Sequence, residues 1–202
     1  MSFKKGNAVW GLGLMIIFTA CKKDNFKEIN QLIPEKMLDE ISQHMPIYEG
    51  NTPPKIEGNY IISPCELLYC SNQPDLEYTF DDYTFKFYNQ KKINNYQTIT
   101  FVGDNSLMRI DSCDYTYIMG KENHFTAYYT IKENHFSGVK YKAAVLISGT
   151  KIPQGITDMY LAILILKKSN SMNDDFMMPE KSFRIIYDKD NLVESLDTAE
   201  TL

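Results

Sequence analysis

"MYLAILIL", residues 159–166, is hydrophobic at every position. Successive side chains of a strand point to opposite faces, so such a run is buried on both sides. One face can look into a barrel or sandwich; the other needs a cover. The segment 34–45 supplies one. Met37, Leu38, Ile41 and Met45 recur at helical spacing on one face, with Glu35, Lys36, Asp39, Glu40 and Gln43 opposite. Pro34 suits a first helical position and Pro46 ends the run. The prediction is a helix over 34–45 lying on the strand at 159–166. "GNTPPKIEG" (50–58) then reads as a stiff, extended connector.

From Asn59 the hydrophobic period changes from 3.6 to 2. Tyr60 and Ile62 alternate with Asn59 and Ile61, and Leu67 and Tyr69 continue after Pro64. Further alternations run through Tyr83–Phe87, Ile99–Phe101, Cys113–Met119, Phe125–Ile131, Val139–Ile147 and Phe183–Tyr187. Gly, Pro, Asn, Asp or Ser clusters bound each of them. With 159–166, the pattern predicts about eight strands. Short links (GKEN, KENHFSG, TKIPQG) join those from 113 onward, which predicts an antiparallel meander. The expected fold is mainly β: an up-and-down barrel of about eight strands with one N-terminal helix, since closure removes exposed edges. A two-sheet sandwich, with 169–180 crossing between sheets, is the alternative.

The start of the chain is of another kind. Lys4 and Lys5 precede Ala8–Ala20 (AVWGLGLMIIFTA), an uncharged run of 13 residues. A membrane-spanning helix needs about 20 such residues, so a secretory signal fits better than a span. A buried core helix would explain the apolarity but not the preceding lysines or the abrupt change to KKDNFKE.

Phe18-Thr19-Ala20-Cys21 resembles a bacterial lipobox, although Phe18 stands where most carry Leu. The resemblance implies cleavage before Cys21 and a diacylglycerol on its sulfur. Lys22-Lys23-Asp24 resembles the start of the export signals of Bacteroidota-type lipoproteins. "TPPKIEGNY" (52–60) and "ISGTK…G" (147–155) are similar to stretches of lipoproteins of that group, a likeness that implies no activity. The expected organisation is a signal at 1–20, a lipidated tether at 21–33 and one β domain at 34–202. The implied place is the outer membrane, held by lipid on the periplasmic or surface side. The meander opening on Gly58-Asn59-Tyr60 also looks like the calycin or lipocalin-like barrels, with Tyr60 in place of their tryptophan.

The 202 residues are 44% hydrophobic and 23% charged, an ordinary globular balance with a net charge of −5. No basic block appears, which argues against a nucleic-acid partner. Loss of residues 1–20 would remove Lys4 and Lys5 and no acid, leaving 19 basic against 26 acidic residues. It would also remove Trp10, the only tryptophan.

Sites for chemistry are few. "KENHF" occurs at 121–125 and again at 132–136, placing His124 and His135 eleven residues apart. Read as a metal pair, the two histidines would have to meet; read as turn chemistry used twice, they cap opposite ends of one strand, about 25–30 Å apart. The second reading is favoured. Cys65, Cys70 and Cys113 have no CxxC or zinc spacing and read as small buried residues with free thiols. "SGTK" (148–151) has the wrong order for the Lys-Thr-Gly element of penicillin-binding enzymes. "DKDN" (188–191) lacks the remaining ligands of a calcium loop. No catalytic residues, metal ligands or cofactor beyond the lipid on Cys21 are expected. The expected role is a non-enzymatic binding module for a small apolar or glycan ligand, held by Tyr60, Phe85, Tyr115, Tyr117, Tyr129 and Tyr141. The alternative is an accessory lipoprotein docking on an envelope protein.

Overall fold

A computed structural model describes residues 29, 33–93, 96–104, 116–136, 139–169 and 177–197. Three of its strands are broken. β1 (Gly58–Ile62) runs into β2 (Cys65–Cys70) across a cis Ser63–Pro64 bond. β3 (Thr79–Phe80) runs into β4 (Tyr83–Ile93), and β10 (Phe183–Asp188) into β11 (Val193–Ser195). Between them come β5 (Tyr96–Asp104), β6 (Thr116–Lys121), β7 (His124–Phe136), β8 (Val139–Ile152) and β9 (Gly155–Lys168).

Counted with each broken run as one, eight strands follow one another as antiparallel neighbours. The last then pairs with the first. Tyr60 faces Ser195 in β1–β11, and Cys65 faces Asp188 in β2–β10. The ring is an up-and-down barrel, as the periodicity predicts. It closes through residues that the alternation had not marked as strand, 193–195, because three residues carry too little pattern to be seen. At one end lie the short turns at 122–123 and 153–154; at the other lie the longer connection 71–78 and the described residues 177–182 that lead into β10.

Packing follows the pleat. Leu161, Ile163 and Ile165 point into the barrel, while Ala162 and Leu164 point outward. Over the outward pair lies α1 (Glu35–Ser42), which buries Met37, Leu38 and Ile41 against them together with Ala144, Leu146 and Ile185. The helix is shorter than 34–45. Pro34 is its N-cap, with ψ of 132°, rather than its first helical residue. Ile29 and Ile33, inside the expected tether, are buried in the same outer layer. They are four residues apart and share a backbone bond from the Ile33 N–H to the Ile29 carbonyl, 2.8 Å, so both side chains fall on one face.

Two local expectations need correction. Tyr117 and Met119 face outward, not into the barrel; Thr116 and Ile118 occupy the inward positions of β6. The ladder decides this. Ile118 pairs with Ala127, whose neighbours Phe125 and Tyr129 point inward, and directly opposed residues share a face. Second, only the first "KENHF" makes a turn, and there Glu122 rather than Asn123 takes the positive φ, 59°. The second lies within β7, at a register shift between Ile131 and Asn134. His124 and His135 still sit near opposite ends of that one strand.

Candidate functional site

The barrel interior is occupied by rings. Tyr60 on β1 stacks on Phe85 of β4 at 5.3 Å, Phe85 on Phe101 of β5 at 5.7 Å, and Phe101 on Tyr129 of β7 at 4.9 Å. Phe87 and Phe125 meet edge to face beside them at 6.4 Å. All six side chains are buried in one cluster with Ala127, Ala143 and Val145. Large aromatics from β1, β4, β5 and β7 pack with smaller residues of β7 and β8, which lets the layers interlock at protein density.

This places five of the six aromatic residues expected around a ligand. Tyr60, Phe85 and Tyr129 are brought together, but by the stack itself, at 1%, 4% and 0% exposure. Phe101 completes the stack without being among the six; its inward phase, shared with Ile99, is the signal in the sequence. Tyr141 is half-buried against the inner cluster. Tyr117 lies on the outer wall, edge to face with Tyr96 at 5.8 Å. Tyr115 falls outside the described residues, as do Cys21 and Cys113.

Polar contacts hold Tyr60 and Lys151 at the short-turn end. The Tyr60 hydroxyl donates to the Ile56 carbonyl at 2.9 Å, and burial, helped by Asp197, pushes that phenol up to about 12. The Lys151 ammonium lies 5.5 Å from the Tyr60 ring centre and donates to the carbonyls of Ile152 and Gly155 at 2.8 and 3.2 Å. Burial lowers its pKa.

Toward the long-loop end the barrel lining becomes mixed. The Arg184 guanidinium lies 5.2 Å from the Phe80 ring centre. Phe80, Tyr141, Met177 and Met178 pack on the rim of the inner cluster. Burial lowers the Arg184 pKa, while Cys70, Cys65 and Tyr141 act in the opposite sense. Leu68, Leu76 and Tyr78 of the hairpin at this end are 42%, 42% and 51% exposed.

Between the two ends, three neighbouring strands break at one level, at 63–64, 81–82 and 189–192. Asp188 is buried there, and neither carboxylate oxygen has a hydrogen-bond partner. Burial, with Asp190 and Glu194 nearby, pushes its pKa up to about 7. Cys65, opposite, is pushed up to about 12 by burial and by Asp188. A thiol held that high stays protonated at neutral pH and is a poor nucleophile. His124 is exposed, 3.0 Å from the Thr150 hydroxyl and stacked on Tyr48 at 4.8 Å.

Among the described residues, no group of three or more His, Cys, Asp or Glu side chains is arranged to hold a metal ion. Among them, too, no helix is long and apolar enough to cross a membrane. Comparison with protein-family models, with curated proteins and with solved structures gives no match.

Proposed function

We propose that this chain is an envelope lipoprotein, anchored through Cys21 to the outer membrane, whose barrel is a rigid scaffold for docking on a protein partner. The carrying observation is the Tyr60–Phe85–Phe101–Tyr129 stack, which fills the barrel where a container would hold its cargo. The partner-facing element is the hairpin that exposes Leu68, Leu76 and Tyr78 at the long-loop end. Apolar side chains there gain by being covered.

The anchor reading rests on the sequence: a lysine pair, an apolar run too short to span, and small residues before Cys21. Two or more acyl chains hold a protein on a bilayer where one does not. Feeding cells radioactive fatty acid should label the wild type and not Cys21→Ser; equal label in both rejects the anchor. For the scaffold, titration with a fluorescent fatty acid should give no saturable binding. One bound probe per chain, displaced by unlabelled fatty acid, rejects it.

That result would favour a second reading. Arg184 lies over Phe80 and within electrostatic reach of Tyr141, toward the end where Met177 and Met178 pack on the inner cluster, a setting that suits a small apolar ligand with an anionic head. Loss of the binding in Arg184→Gln would then locate the head group.

A further inference from the structure

The β4–β5 hairpin passes close to Ile29. Ile29, Tyr96 and Gln97 line one recess at the short-turn end. Across the ladder, Ile93 faces Tyr96, Lys92 faces Gln97 and Lys91 faces Thr98. Lys91, Lys92 and Ile93 are all exposed, Ile93 to 45%. Two cations, a bare aliphatic side chain and a half-buried tyrosine thus share one edge.

Cys21 lies eight residues before Ile29. Eight residues of chain span at most about 28 Å. The opposite end of the barrel is farther off: β8 has 14 residues, about 45 Å along the strand and about 35 Å along the axis at the usual strand tilt. An anchor on Cys21 therefore holds the short-turn end, and with it the hairpin, near the bilayer.

We infer that Lys91, Lys92, Ile93 and Tyr96 form a membrane-contact surface for an anionic lipid leaflet. The lysines meet the headgroups, and Ile93 and Tyr96 sit at the boundary with the acyl chains. The inference rests on the Cys21 anchor, and it turns Leu68, Leu76 and Tyr78 away from the membrane, toward a partner.

The test uses the lipidated protein reconstituted into vesicles of phosphatidylethanolamine and phosphatidylglycerol with brominated acyl chains. Trp10 is the only tryptophan and precedes Cys21, so Ile93→Trp and Leu76→Trp each carry a single reporter. Trp at 93 should emit to the blue and lose most of its intensity to bromine; Trp at 76 should keep it. Changing Lys91 and Lys92 to Gln should weaken the quenching at 93 by roughly twofold or more. In the unsubstituted chain, amide exchange at 91–93 should be slower on phosphatidylglycerol than on phosphatidylcholine vesicles. Equal quenching at 93 and 76, or equal exchange on both lipids, overturns the contact surface while the anchor stands. Failure of the protein to float with the vesicles overturns both.

Discussion

Asp188 stands directly across the β2–β10 ladder from Cys65, each buried, at the level where the barrel wall breaks. Its carboxylate has no hydrogen-bond donor, and its pKa is pushed from 3.8 up to about 7. The folded protein therefore holds this proton more tightly than the unfolded chain does. Stability from this group is full below about pH 4, falls as pH rises toward 7, and is constant beyond. Asp188→Asn should unfold at higher urea than wild type at pH 8, by a difference that vanishes by pH 4. A gain equal at both pH values would mean that Asp188 is not titrating in this window.

Leu38 lies on the buried face of α1, 8% exposed in the outer cluster. Leu38→Asp would bury an unpaired carboxylate and should cost about 3 kcal/mol or more. At this chain size that lowers Tm by roughly 6–12 °C. A Tm within one degree of wild type would show that α1 contributes little to the fold.

Phe101 bridges Phe85 and Tyr129 and has 0% exposure. Phe101→Ala should cost about 3–5 kcal/mol and leave an apolar cavity. Benzene or indole should then raise the Tm of the variant and not of the wild type, because a dry cavity of that size takes such ligands. Equal stabilisation of both would mean that the wild-type interior already has room.

Cys65 and Cys70 are free and buried. A maleimide at pH 7.5 should modify neither on the time scale that labels an exposed thiol, and both should react in urea. Burial excludes the reagent at Cys65, and its thiol, pushed up to about 12, offers almost no thiolate. Rapid labelling of Cys65 in the native chain would refute its placement.

The fold class was legible because each strand declares its period locally. Alternation at Phe125–Ile131 and Val139–Ile147 marks the inward face directly, and the doubly apolar 159–166 demands a cover that the apolar stripe of 34–45 offers. Where the pattern is ambiguous it misleads. Thr116–Met119 carries hydrophobic residues at both phases, so its face is settled by pairing with β7 and not by its own sequence.

Other features come from contacts between residues far apart in the chain. The ring closes because Glu194 and Ser195 find Ile61 and Tyr60, more than 130 positions earlier. The aromatic stack draws one ring each from β1, β4, β5 and β7. Sequence by itself determined the period of each element, the burial of the strand at 159–166 and the expectation of an anchor at Cys21, because period and motif are local. Only the tertiary structure decided that Tyr60, Phe85, Phe101 and Tyr129 stack on one another inside the barrel. Whether inward side chains meet or leave a space depends on barrel closure and shear, and no single segment encodes those.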